Sequence, residues 1–260
     1  MPLTRVEIDG RVATLTLNRS EARNALSIEM CEDISVAIHG LETEMDARVV
    51  VIKGEGPTFC AGADFAAVSG PGGIEFLPAF ERMLEAVARC RIPTIASIHG
   101  AALGGGLQLA TVCDFRLAAH DARLGIPSGR LGILVNFDNI RRLVLLVGTS
   151  VAKEILMTAR TYTGGEALAA GLVNRSVPTE DLVTETAAFA DRVAGLAPLS
   201  VQGTKRAIQL VTDHMGDARS SRSEETSEID RLVAEAYRSE DLQEGIKAMS
   251  EKRAPNFEGR

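Results

Sequence analysis

Tryptophan is absent from this 260-residue chain, tyrosine occurs twice, and aromatic residues make up only 4% of it. Positive charge is also in short supply: 28 Lys and Arg stand against 35 Asp and Glu, a formal net charge of −7. Nucleic-acid-binding surfaces are normally basic, so nucleic acid is not an expected partner, although a local basic patch for a phosphorylated ligand stays compatible with this balance. Charges interrupt every apolar run well before the roughly 20 residues of a membrane span. The opening MPLTRVEIDG lacks the charged-then-apolar pattern of a secretion signal. Cys31, Cys60, Cys90 and Cys113 include no C-x-x-C pair, so neither a zinc knuckle nor a disulfide framework is indicated. His39, His120 and His214 show no metal-like spacing. No linker rich in Pro, Gly or Ser, no low-complexity tract and no periodic repeat is visible. A cytoplasmic protein with reduced thiols is expected, with no metal and no redox cofactor.

What is present is a hydrophobic fraction of 45%, enough for a sizeable core in one large domain or one domain with a small appendage. TRVEIDGRVATLTLN alternates apolar and polar residues around Asp9-Gly10, the signal of a hairpin with a primed turn. SIEMCEDISVAIHGLETE places Met30, Ile34, Ile38 and Leu41 on one helical face, with Ser27 as the N-cap. RVVVIKGEG and RIPTIASIHG read as buried parallel strands flanking a helix through FLPAFERMLEAVARC, and DFRLAAHDARLGIP reads as two short strands. From about Leu143 onward helical patterns dominate. Strand–helix alternation followed by mostly helix describes an α/β core and a helical appendage, with the boundary near Pro198: residues 1–197 and 198–260.

The stretch AALGGGLQLA puts three glycines between a strand and a helix. A helix N-terminus exposes unpaired N–H groups, and glycines there let a ligand oxygen approach the bare backbone without meeting a Cβ. Close packing of helix on sheet is the plainer use, for which one glycine usually suffices. The phosphate-cradling motifs do not fit: Gly106 is followed by Leu107 rather than Lys-Ser/Thr, and G-x-G-x-x-G fails at Leu109. A second small, glycine-rich loop, GEGPTFCAGADF, follows the strand VVVIKG, and α/β folds place ligands at such strand ends.

FCAGAD at 59–64, GAALGGG at 100–106 and NRSEARNALS at 18–27, taken in order, resemble the crotonase, or enoyl-CoA hydratase/isomerase, superfamily. The resemblance continues through CDFRLAA, YTGGEALAAGLVN, APLSVQGTKRA and EKRAPNF, and so covers nearly the whole chain. It implies an α/β spiral of ββα units with a C-terminal helical trimerisation region, in a homotrimer or a dimer of trimers. It also implies that two backbone N–H groups, falling by motif match on Ala63 and Gly105, form an oxyanion hole for the thioester carbonyl of an acyl-CoA. Chemistry beside a thioester passes through an enolate-like anion, and each preorganised donor is worth ~3 kcal/mol. The resemblance further implies Arg23 for a CoA phosphate and the backbone of Ala61 and Asp64 along the adenine and pantetheine path. Lys252 and Phe257 would reach a neighbouring subunit's CoA. Without the resemblance, Arg23 reads as an ordinary solvated arginine.

The sequence departs from the family at its chemistry. The two glutamates that serve a hydratase as general acid and base are replaced by Gln108 and Ser128. An amide does not titrate and a serine needs its own base, and each such group typically contributes about 10²- to 10⁴-fold. ILVNFDNIRRL also replaces the usual proline-glycine run. Asp138 in that segment has two readings: a base moving a proton along the acyl chain, or a cap of the helix starting at Asn139. His99 reads as structural, Cys60 has no histidine adjacent in sequence to activate it, and Asp64 and Asp114 lie in structural motifs. Three functions remain: an acyl-CoA enzyme of the hydratase/isomerase type with an atypical acid–base step, a non-catalytic fatty acyl-CoA binding protein, and a structural oligomer.

Overall fold

The computed structural model describes residues 2–44, 47–64, 73–196, 198–214, 234, 238, 240–253 and 255. Its first strands, β1 (Thr4–Asp9) and β2 (Val12–Leu17), form the expected hairpin, with Asp9 opposite Val12. The loop residues are therefore Gly10 and Arg11, one place later than the sequence suggested. Only Gly10 takes a positive φ (+55°), the pattern of a II′ rather than an I′ turn.

Ser27 caps α1 (Ile28–Glu44): its Oγ accepts from the Met30 amide at 3.2 Å. The predicted face of Met30, Ile34, Ile38 and Leu41 is buried to 2% exposure or less. β3 (Val49–Gly54) and β4 (Thr94–Ile98) are the buried parallel strands, with α2 (Gly73–Arg89) between them in sequence. With β6 (Phe115–Ala119) and β9 (Arg175–Val177) they complete a six-stranded sheet ordered β1-β2-β3-β4-β6-β9, parallel except for the β1–β2 pair.

A second, three-stranded sheet consists of β5 (Ala101–Leu103), β7 (Arg123–Gly125) and β8 (Thr161–Thr163). One order thus repeats along the chain. β4 leads to β5 and then α3 (Gly105–Val112), and β6 leads to β7 and then α4 (Phe137–Thr158). β3 leads to a bridge between Cys60 and Ala102, which extends the small sheet, and then to α2. Each ββα unit thereby gives one strand to the large sheet and one short stretch to the small one. The chain winds as a spiral, as expected.

Three strands were not legible, β5 among them. β8 and β9 have three residues each, too short for alternation to show, and they fall where helical patterns prevail. α4 starts earlier than the helical patterns suggested and is broken at Gly148 (φ +73°), so it comprises two helical stretches. α5 (Gly164–Ala169) opens on a capping box between Thr163 and Glu166. It is followed by α6 (Leu182–Ala194), α7 (Pro198–His214) and α8 (Glu240–Ser250). No described helix is long and apolar enough to cross a membrane.

Asp114 ties the starts of β4 and β6 to α7. Its Oδ2 accepts from the Thr94 amide (2.7 Å), the Thr94 hydroxyl (3.1 Å) and the nearly buried Lys205 ammonium (2.6 Å). It is therefore occupied in joining elements.

Among the glycines opening α3, Gly106 has the plain packing role. A Cβ there would sit 2.3 Å from the Cys60 carbonyl oxygen, so the helix rests directly on the first loop's backbone. Gly106→Ala must push that loop away. Overpacking of this kind costs about 1–3 kcal/mol, and for a chain of this size that lowers the melting temperature by roughly 2–10 °C. A thermal melt followed by circular dichroism checks it.

Candidate active site

The motif NRSEARNALS folds as a short 3-10 turn (Ser20–Ala22) followed by two consecutive left-handed residues, Arg23 and Asn24, both at φ 54°. Asparagine tolerates this conformation better than most side chains. Asn24 is fully buried, and its amide is well used: Nδ2 donates to the carbonyls of Glu55 (2.9 Å) and Thr58 (2.7 Å), and Oδ1 accepts from the Arg19 amide (3.0 Å). Its own carbonyl accepts from the Cys60 thiol at 3.1 Å. One side chain thus binds the 19–26 segment to the loop running from Glu55 to Ala63.

Backbone pairing completes the bond. Ala61 N–H donates to Arg23 O (3.0 Å), Leu26 N–H to Gly62 O (2.8 Å) and Asp64 N–H to Leu26 O (2.8 Å). Successive amides along an extended chain point opposite ways, so the Ala63 N–H turns away from this ladder. It has no acceptor among the described residues.

The second loop is pinned to the first in the same manner. Cys60 N–H donates to Ala101 O and Leu103 N–H to Cys60 O, each at 3.0 Å. Gly104 N–H is spent on Gly125 O at 2.9 Å, and α3 begins one residue later. The Gly105 amide, first of the helix, has no partner among the described residues. The two loops meet at Gly62 (φ +107°), where a Cβ would lie 2.8 Å from Leu103 O and 3.5 Å from Gly105 N. Only glycine permits both that dihedral and that approach.

Ala63 and Gly105 open onto a cavity of about 300 Å³, at the lower end of the size of small-molecule sites. Its walls are mostly apolar. Phe76 and Phe80 of α2 stack at 5.4 Å between ring centroids, and Leu131, Ile133 and Leu134 face it from the segment before α4. Met249 of α8 also lines it, so the C-terminal helix contributes to the same site as the core. Six polar or charged side chains interrupt this surface: Arg23, Glu81, Gln108, Ser128, Asn136 and Asn139. The side chains of Gln108 and Ser128 have no hydrogen-bond partner among the described residues and are available to a ligand.

The structure therefore gathers Arg23, Ala61, Ala63, Gly105, Gln108 and Ser128 around one cavity. Arg23 is exposed and forms no ion pair among the described residues. Asp64 does not line the cavity; its amide is held by Leu26 and its carboxylate pairs with Arg19 at 2.6 Å. Lys252 is exposed just after α8, and Phe257 lies outside the described residues.

Asp138 occupies neither position expected of it. The α4 cap is Asn136, whose side chain accepts from the Asn139 amide at 3.0 Å. Asp138 is exposed in the first turn and borders a separate surface depression with Glu85, Arg89 and Arg141. The reason is helical geometry: Asn139, one residue and about 100° further round, is the one that faces inward.

Glu81 is the residue that sequence reasoning missed. It is the one carboxylate lining the cavity among the described residues. Asn139 Nδ2 donates to its Oε1 at 2.9 Å, and the Arg142 guanidinium lies 4.0 Å from Oε2. Burial raises its pKa above the usual carboxylate range, against the opposing pull of Arg142 and the Asn139 and Asn136 amides. Cys60 is fully buried, and burial pushes its thiol up to about 12, so it offers no thiolate.

A spiral of ββα units whose two glycine-rich loops present unpaired amides to an apolar cavity is the architecture of the crotonase superfamily. Residues 7–260 match the family model for enoyl-CoA hydratase/isomerase, and the chain belongs to that family. A probable enoyl-CoA hydratase of Bacillus subtilis is 38% identical over 257 residues, covering 97% of each chain. The probable enoyl-CoA hydratase echA8 of Mycobacterium tuberculosis is 36% identical over 256 residues, covering 97% of this chain and 96% of that one. Among solved structures, a methylmalonyl-CoA decarboxylase in complex with 2-nitronate-propionyl-CoA superposes with a TM-score of 0.89 at 26% identity, covering 99% of both chains.

Asn24 is the side chain on which this site's framework turns. Asn24→Ala strands two buried carbonyls and one amide, each costing about 1–3 kcal/mol when unsatisfied. The expected loss is about 3 kcal/mol or more, read from urea unfolding, and Asn24→Asp, which turns a buried carboxylate oxygen toward the Glu55 and Thr58 carbonyls, is expected to destabilise at least as much.

Proposed function

We propose that this protein is a hydratase/isomerase-type enzyme acting on acyl-CoA thioesters, with an oxyanion hole formed by the backbone amides of Ala63 and Gly105. The observation that carries the reading is the pair of amides without acceptors, one from each loop, beside the same apolar cavity. Two unpaired N–H groups lining one cavity suit an oxygen on which negative charge develops, and an apolar surround makes each donor count for more. The relatives named as enoyl-CoA hydratases and the neighbour complexed with an acyl-CoA analogue support the ligand class. The acyl chain lies along Phe76, Phe80 and Met249, and Arg23 meets a CoA phosphate where the cavity opens. The assembly consistent with this reading is a homotrimer or a dimer of trimers, in which Lys252 extends toward a neighbour's CoA.

Gln108 and Ser128 favour a second reading, because neither can exchange a proton near neutral pH. A fatty acyl-CoA binding protein would keep the amides and the cavity while having no turnover. Calorimetric binding of a short and a long saturated acyl-CoA, with crotonyl-CoA hydration assayed on the same sample, separates the two.

Gly105→Pro removes one amide donor at a helix position where proline costs no helical hydrogen bond. Turnover of an enoyl-CoA is expected to fall about 10²- to 10³-fold with far-UV circular dichroism unchanged; an unchanged rate removes Gly105 from the oxyanion hole. Arg23→Ala is expected to weaken acyl-CoA binding by about tenfold while leaving the corresponding acyl-pantetheine thioester unaffected. Equal weakening of both ligands excludes the phosphate role.

A further inference from the structure

We infer that Glu81 is the proton-transfer carboxylate of this cavity, seated on α2 in the wall of the cavity that Gly105 also lines and oriented by Asn139, and that it carries out a double-bond shift in an enoyl thioester. The inference rests on the acyl-CoA reading of the site.

Three features of the geometry converge on it. Phe80, whose ring would stand 3.2 Å from a Cβ placed at Gly105, and Glu81 both line the cavity onto which Gly105 opens. The carboxylate keeps 32% of its side-chain surface accessible and lines the cavity. Its orientation is fixed by Asn139, 5% exposed, whose Oδ1 accepts from Arg142 (2.9 Å) and whose Nδ2 therefore points at Glu81 (2.9 Å).

A structural ion pair does not account for Glu81. Arg142 already has Glu85 at 2.9 Å, against 4.0 Å for Glu81. Placing a carboxylate against an apolar wall costs free energy, and an apolar side chain would pack there without that cost. The charges that face it are Arg142 and Asp138 of α4, with Glu85 one turn further along α2; Arg23 is the other ionisable group of the cavity. Burial outweighs Arg142 and raises the carboxyl's proton affinity, bringing it nearer to the working range of a general base.

One carboxylate suffices for a 1,3-shift. Glu81 takes a proton from C2 of a 3-enoyl thioester; the C–H electron pair becomes the C1–C2 double bond, and the charge moves to the thioester oxygen between the two amides. The Glu81 carboxylic acid then returns the proton to C4: the oxygen lone pair reforms the thioester carbonyl, the C1–C2 double bond shifts to C2–C3, the C3–C4 π pair becomes the new C4–H bond, and the carboxylate is regenerated. No water, oxidant or reductant is consumed. Hydration would also require a held and activated water, which neither Gln108 nor Ser128 can deprotonate.

The test uses the full-length protein with 3-hexenoyl-CoA, followed by the absorbance of the conjugated 2-enoyl product, with hexanoyl-CoA binding measured by calorimetry. Wild type is expected to isomerise, with an acid limb in kcat above the ordinary carboxylate range because the base must be ionised. Glu81→Gln, which preserves shape and the bond from Asn139, is expected to lower kcat about 10²- to 10⁴-fold and abolish that limb, with binding of hexanoyl-CoA within about threefold of wild type. Glu81→Asp is expected to retain part of the rate and the limb. A Glu81→Gln variant with wild-type kcat and pH profile overturns the assignment. So does a wild type that binds hexanoyl-CoA but does not isomerise 3-hexenoyl-CoA, and that result leaves the thioester site standing. Absence of binding by wild type overturns the thioester reading together with the assignment.

Discussion

Two backbone segments approach so closely at Gly62 and Gly106 that neither position has room for a methyl group, and the site depends on that approach being held. Loops at strand ends are otherwise the parts of a fold most free to separate. Here the closure is enforced by Asn24, which satisfies carbonyls of the first loop from within the 19–26 segment, and by reciprocal hydrogen bonds between Cys60 and the 101–103 strand. Buried carbonyls left without donors would each destabilise the closed arrangement, so hydrogen-bond satisfaction and loop position are the same constraint. The amides of Ala63 and Gly105 are left over from this pairing. Their lack of partners follows from where the two ladders end.

The apolar walls bear on both halves of the chemistry. Low polarity around the Ala63 and Gly105 amides strengthens their attraction for a developing negative oxygen. The same desolvation acts on Glu81, raising its affinity for a proton. The Phe76–Phe80 pair contributes to both, because one turn of α2 carries the ring beside Gly105 and the carboxylate that follows it. α8 adds Met249 to the same wall despite lying far from it in sequence.

Much of the fold was legible because its signals are local. The Ser27 cap, the Met30–Ile34–Ile38–Leu41 face and the β3 and β4 runs depend on spacing within a dozen residues, and all occur where the sequence places them. The loop motifs were legible as small, glycine-rich segments at strand ends for the same reason. Three-residue strands such as β8 and β9 have no period to detect, and they exist only because neighbours supply the ladder. Asn24 was visible only as part of a motif; its three hydrogen bonds span loops up to 34 residues away. Glu81 could not be separated from Arg82 or Glu85 by pattern, since all three look like the solvated side of an amphipathic helix. Asp138 was misplaced because one residue along a helix turns a side chain by about 100°, and the sequence does not say which residue begins the helix.

Backbone and side chains divide the work differently in this fold. The amide pair is fixed by ladder geometry, by small residues and by the Asn24 side chain that holds the first loop. In the proposed reaction the acid–base group is a single side chain, and nothing in the spiral requires it to sit on α3 or in the segment after β7. A carboxylate on α2 meets the same cavity from another wall, with its own positioning residue, Asn139, drawn from α4. Loss of titratable groups at Gln108 and Ser128 is therefore compatible with retained chemistry, provided the reaction needs one proton carrier and no activated water. Under the proposal made above, that condition limits the transformation to proton shifts along the acyl chain, and it links the unusual residues at two loops to the carboxylate on α2.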